Sequence, residues 1–135
     1  MTQLPQEMDS MIKILVAEDD QDIRDLVVLT LEFNGFEVES AEDGAVAVEK
    51  AQNNTFDMIL LDVRMPRMTG YDACRRLKEI ESTRDIPIIF LSAKGQEAEI
   101  QTGMEVGAAD YILKPFAPDA LVRTIRRVLS NMSAG

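Results

Sequence analysis

Five short apolar runs alternate with five longer stretches of helical period, and this alternation constrains the chain more than any single motif. Strand–helix pairs repeated in this way build one parallel sheet covered by helices, the α/β class. The strand candidates are Ile12 to Ala17, Phe36 to Ala41, Asp57 to Leu61, Ile86 to Leu91 and Ala109 to Leu113. Three are nearly continuous in Ile, Leu and Val, as strands buried on both faces require. The second, FEVESA, alternates and reads as an edge strand. Helix candidates follow at Asp22 to Phe33, Gly44 to Gln52, Gly70 to Glu81, Gln96 to Val106 and Pro118 to Ser130. At roughly 150 residues per domain, the chain makes one domain. It is placed at 11–130, between a polar, proline-containing leader over 1–10 and a tail over 131–135.

The helices differ in quality. In the last, Leu121, Ile125, Val128 and Leu129 form a clean buried stripe. The fourth offers only Ala98, Ile100, Met104 and Val106 and contains Gly103, so it is expected to be the least firmly held. Asn34-Gly35 and Gly107 stand where helices should stop before the next strand.

Composition excludes several functions. With 24 acidic against 14 basic residues the formal charge is −10, which nucleic acid phosphates repel, so no nucleic acid partner is expected. No segment approaches the roughly 20 apolar residues of a membrane span, and no secretory signal begins the chain, so no membrane partner and a cytoplasmic location are expected. Cys74 is alone, which rules out an internal disulfide. There is no histidine, so chemistry that needs an imidazole must use another molecule's.

Ligands of open parallel sheets bind outside the carboxyl ends of the strands. Here the first strand runs into Glu18, Asp19 and Asp20, the third into Asp62, the fourth into Ser92 and Ala93, and the fifth into Lys114-Pro115-Phe116. Carboxylates gathered at one rim repel and raise each other's pKa unless a hard cation joins them. Mg²⁺ and Lys114 together would neutralise Glu18, Asp19 and Asp62, and the remaining coordination positions could take a phosphoryl group. An Asp carboxylate can itself be the nucleophile toward phosphorus. Each residue alone has a plainer reading. Acidic residues after a strand are often turn formers or N-caps, as Asp20 is expected to be. Lys114-Pro115 is a common turn, Ser92 an ordinary strand end and Tyr111 a packing aromatic.

Taken in order, KILVAED over 13–19, LLDVRMPRMTG around Asp62, FLSA ending at Ala93 and ADYILKPF over 109–116 closely resemble the receiver domain of two-component response regulators, of the single-domain chemotaxis type. The likeness covers about residues 11 to 130. It implies a flavodoxin-like, doubly wound sheet of five parallel strands in the order 2-1-3-4-5, with five helices. It implies that Asp62 is the phosphoacceptor and that Glu18, Asp19, Asp62 and the backbone carbonyl of Arg64 hold Mg²⁺, with Mn²⁺ as a substitute. Ser92 and Lys114 would bind the phosphoryl group, Ser92 and Tyr111 would move together as a switch, and the Lys114-Pro115 bond would be cis. Arg64 and Lys94 occupy positions that tune hydrolysis in the family.

The implied function is signal relay. Asp62 takes a phosphoryl group from a histidine kinase or histidine phosphotransfer protein, and a downstream protein binds the altered face of the last helix, strand and helix. The chain would be no enzyme beyond its own phosphorylation and dephosphorylation. The alternatives are a phosphorelay intermediate or a scaffold that ignores phosphate. Ala109, Ala120 and Thr124 replace charged residues through which winged-helix relatives dimerise, so a monomer is expected; with five residues after Ser130, so is the absence of a covalent output domain. A cofactor binder on the same sheet would need a phosphate-cradling loop where EDDQ stands, and no P-loop or GxGxxG occurs. An Asp-x-Asp phosphatase is disfavoured because Arg64 occupies the second Asp position.

Overall fold

The computed structural model describes residues 11–93 and 97–134. The leader over 1–10 and Lys94 lie outside the described residues. The elements are β1 (Lys13–Ala17), α1 (Gln21–Phe33), β2 (Glu37–Ala41), α2 (Gly44–Asn53), β3 (Met58–Asp62), α3 (Gly70–Glu79), β4 (Ile88–Ala93), α4 (Glu97–Glu105), β5 (Asp110–Lys114) and α5 (Pro118–Ala134). All strands are parallel, in the order β2-β1-β3-β4-β5. This is the doubly wound order expected, with β2 at an edge.

Alternation along each central strand divides the core into two layers. Ile14, Val16, Leu60 and Leu91 pack with Val27 and Leu31 of α1 and with Leu121 and Ile125 of α5. Leu15, Ile59, Leu61 and Phe90 face the other way, against Ala47 and Val48 of α2 and Ala73 and Leu77 of α3. Cys74 belongs to this second layer, and burial pushes its thiol up to about 11, so it packs rather than reacts. Among the described residues no helix is long and apolar enough to cross a membrane.

Helix α4 has a different seat. A Cβ on Gly103 would lie 2.6 Å from two ring carbons of Phe90, whose ring meets Tyr71 edge-on at 5.3 Å. The glycine that lowers the helix propensity of α4 therefore also lets it rest on an aromatic pair.

Local chemistry sets the boundaries. Asp20 caps α1, accepting from the N–H groups of Asp22 at 2.9 Å and Ile23 at 3.2 Å. Gly35 and Gly107 take positive φ where chain reversal after a helix needs it. Three elements depart from their expected bounds by two residues or more. Helix α3 stops at Glu79 rather than Glu81, because the Thr83 hydroxyl donates to the Leu77 carbonyl at 2.6 Å and draws the chain into a turn. Strand β4 begins two residues late, since the Ile86 N–H donates to Thr83 inside that turn, and Ser92 and Ala93 lie within the strand rather than beyond it. Helix α5 continues past Ser130 to Ala134.

Gly70 opens α3 directly against the end of β3. A Cβ there would lie 2.2 Å from the Asp62 carbonyl oxygen and 3.0 Å from the Val63 Cα, backbone that has no room to yield. Gly70→Ala is expected to cost about 1–3 kcal/mol of stability, read as a lowered urea midpoint. An unchanged midpoint would show that α3 and β3 are not in this close contact.

Candidate functional site

Because the strands are parallel, their carboxyl ends meet on one edge of the sheet. The first strand delivers Glu18 and Asp19, β3 ends on Asp62, β4 carries Ser92, and β5 ends on Lys114. The turn after β1 is held on several sides. The Glu18 N–H donates to the Ala41 carbonyl at 3.0 Å, the Asp20 N–H donates to Glu18 Oε2 at 3.1 Å, and Arg24 donates to the Glu18 carbonyl at 2.7 Å.

Lys114 Nζ stands 2.9 Å from Glu18 Oε1 and 3.0 Å from Asp62 Oδ1. Glu18 and Asp62 are buried, while Asp19 is exposed. Each of the three carboxylates offers an oxygen within 4.8 Å of the others. Burial, then repulsion from Asp62, pushes Glu18 up to about 7 despite the positive charge of the Lys114 ammonium beside it. Burial likewise raises Asp62 above the usual carboxylate range, with Lys114 opposing. Burial draws Lys114 down, but its contacts with both carboxylates outweigh that and hold its ammonium above the ordinary lysine value.

Glu18 Oε1 is the test of what this cluster can hold. It is buried and receives no aligned hydrogen bond, although the Lys114 ammonium is close. One cation against three carboxylates leaves two negative charges, and all the ligand atoms are hard oxygens. The residues fit a hard divalent cation such as Mg²⁺.

The other residues singled out from sequence are placed as follows. Ser92 is 1% exposed, and the alternation of β4 turns it to the same side as Phe90, the side of α3 and α4. Tyr111 is 38% exposed; it pairs in register with Phe90 and alternates with Ile112, which packs in the opposite layer. Tyr111 is thus on the Ser92 side of the sheet. Arg64 is exposed in the loop leaving β3, and the Lys114-Pro115 peptide is cis.

The sequence reading missed one neighbouring pair. Asp43, buried beside the rim, caps α2 by accepting from the Val46 N–H at 2.9 Å and forms an ion pair with Arg67 of the β3–α3 loop. Burial alone would raise the Asp43 carboxyl, but the Val46 N–H and Arg67 hold it below its ordinary value. An Asp just ahead of a helical pattern is a readable N-cap signal, whereas nothing in the sequence pairs it with Arg67.

A carboxyl whose pKa is raised by folding contributes stability that is fully present below its unfolded value and lost as pH rises through its folded one. The metal-free protein is therefore expected to lose stability as pH rises from about 4.5 through about 7. Asp43 acts in the opposite sense and only at lower pH, and Lys114 only above the ordinary lysine range, so neither masks this window. Glu18→Gln should flatten the decline in urea midpoints measured in chelator across these pH values. A decline equally steep in the variant would remove Glu18 as its source.

The family model of the response regulator receiver domain matches residues 14–126. The phosphate regulon transcriptional regulatory protein PhoB of Escherichia coli is 43% identical over 121 residues, covering 90% of this chain and 53% of that protein. Response regulator MprA of a Mycobacterium species is 39% identical over 122 residues, covering 90% and 52%. The chain thus spans about half the length of the curated relatives it matches. Among solved structures, the chemotaxis protein CheY4 of Vibrio cholerae aligns with a TM-score of 0.84 at 39% identity, covering 88% of this chain and 99% of that one. The receiver domain of the Pseudomonas aeruginosa sensor histidine kinase PA1611, solved with magnesium in its active-site cleft, aligns with a TM-score of 0.83 at 31% identity, covering 90% and 99%. Strand order, an acidic rim bridged by a lysine and the family match over nearly the whole described chain agree: this chain belongs to the response regulator receiver domain family.

Proposed function

We propose that Asp62 accepts a phosphoryl group from a phosphohistidine of a histidine kinase or histidine phosphotransfer protein, and that the chain signals in the cytoplasm by phosphorylation-dependent binding of another protein. The observation that carries this reading is the Lys114 ammonium set between Glu18 and Asp62, with Asp19 close enough to complete a three-carboxylate cation site. Lys114 holds Asp62 Oδ1 and leaves the other carboxylate oxygen to attack phosphorus. The new O–P bond forms as the donor's N–P bond breaks, and the electron pair leaves on the imidazole nitrogen. Mg²⁺, held by Glu18, Asp19, Asp62 and the Arg64 carbonyl, supplies charge neutralisation for the phosphoryl oxygens, and Mn²⁺ can stand in for it. The imidazole comes from the partner because this chain has none. A receiver domain acts on its own aspartate and turns over no separate substrate.

Output follows from the placement of Ser92 and Tyr111 on the α4 side of the sheet. A phosphoryl group on Asp62 would accept a hydrogen bond from Ser92, and Tyr111 would exchange its exposed position for the space this opens. The face made by α4, β5 and α5 then changes for a downstream partner, with the chain acting as a monomer.

Incubation with acetyl phosphate and Mg²⁺ is expected to add one phosphoryl group, detected by intact-mass spectrometry, and Asp62→Asn should take up none. Equal modification of the variant, or none of the wild type, would overturn the assignment. Tyr111→Ala should still be phosphorylated, but should lose the phosphorylation-induced change in amide hydrogen exchange across α4. If that change persists in full, Tyr111 is not the switch.

A further inference from the structure

The β3–α3 loop, residues 63–69, carries Arg64, whose carbonyl is the one proposed cation ligand that does not come from a side chain at a strand end. A ligand on a loop is only as well placed as the loop. Here the loop is closed at its base by the Gly70 N–H donating to the Val63 carbonyl at 2.9 Å, and pinched inside by the Met68 N–H donating to Pro66 at 2.6 Å. Its outer end is tied to a different element. Arg67 reaches across to Asp43, the buried N-cap of α2, and Met68 lies so near Gly44 that a Cβ there would meet the Met68 carbonyl oxygen at 2.4 Å.

Two features point to the ion pair as the working part of this tie. Arg67 has φ 65 and is the one non-glycine residue at positive φ among the described residues, a conformation that asparagine or glycine takes more readily. The position thus keeps a side chain that its backbone does not favour. Its partner is a buried carboxylate which, without Arg67, would retain its cap bond to Val46 but lose its countercharge. The pair also lines a cleft with Asp19, Glu42 and Pro66, which places it beside a side chain of the cation site.

We propose that Arg67 and Asp43 form a latch that holds the β3–α3 loop against α2 and so positions the Arg64 carbonyl for the divalent cation. Arg67 is then a positioning residue for metal binding. The inference rests on the cation reading given above, but concerns a residue pair outside the cation's own ligands.

The test is Mg²⁺ titration by calorimetry of wild type, Arg67→Asn, Arg67→Lys and Asp43→Asn, with amide hydrogen exchange at Met68 and Gly70 measured in chelator. Arg67→Asn suits the backbone at positive φ, so a defect in it comes from the lost ion pair rather than from misfit. Mg²⁺ affinity is expected to fall about tenfold in Arg67→Asn and Asp43→Asn and to recover substantially in Arg67→Lys. The two loop amides should exchange faster in both weakened variants. A general loss of packing would lower stability without this selective effect on metal affinity or its rescue by lysine. Affinity in Arg67→Asn within twofold of wild type, or unchanged loop exchange, overturns the latch. No Mg²⁺ binding by the wild type overturns the cation reading and the latch's role together, which separates the two failures.

Discussion

Lys114 is the interaction on which the rim of this sheet depends. Its ammonium lies between the buried oxygens of Glu18 and Asp62, which come from neighbouring strands β1 and β3, while Lys114 itself ends β5 and reaches across β4. Without a cation there, two carboxylates with little access to water would face each other, and the carboxyl with the higher pKa would take up a proton. With one ammonium against three carboxylates the repulsion is reduced but not removed, and burial raises the pKa of both Glu18 and Asp62 in spite of that ammonium. The cluster is thus held short of neutrality. Residual negative charge, hard oxygen ligands and a buried oxygen without an aligned donor all suit a divalent cation.

Placing such a cluster within a few ångströms needs a frame that does not yield, and the central strands provide it. Residues of β1, β3 and β4 are buried on both faces, so their ends are fixed by two packed layers and by the ladders between them. The same geometry puts the proposed phosphoryl site and the proposed output residues on different sides of the sheet. Asp62 follows Leu60 in the alternation of β3, on the side of α1 and α5, whereas Ser92 and Tyr111 lie on the side of α4. A change at the phosphoryl position has only β4 to cross before it meets α4, the helix whose glycine rests on Phe90 and Tyr71.

Much of this was legible in the sequence because it depends on near neighbours in the chain. Apolar runs marked the strands, and their ends brought Glu18, Asp19, Asp62 and Lys114 to one rim by topology alone. Asp20 was readable as an N-cap because a cap is local. What escaped depends on contacts distant in sequence. The start of β4 moved because Thr83 holds a turn that includes Ile86, and hydropathy does not distinguish an apolar turn residue from a strand residue. Gly103 read as a weak helix position because propensity does not reveal that Phe90 lies beneath it. The pairing of Asp43 with Arg67 spans 24 residues and joins two loops, with no periodicity to announce it.

The missing histidine acquires its meaning from this geometry. A phosphoryl acceptor must bring the negative phosphoryl group close to carboxylates, which a strongly acidic chain does only where local cations outweigh its field. Lys114 is one such cation, and a bound divalent ion would be the other. An imidazolium in the same cluster would compete with that ion for Glu18 and Asp62 and would weaken the acidity that selects it. In the proposed transfer the donor's imidazole belongs to a partner, which avoids the competition because it would approach only for transfer and leave afterwards. In the proposed reaction, the buried carboxylates whose pKa burial raises are the same groups that serve the chemistry, Glu18 toward the cation and Asp62 toward the phosphoryl group. The raised pKa values at the rim and its readiness for chemistry therefore have one physical source.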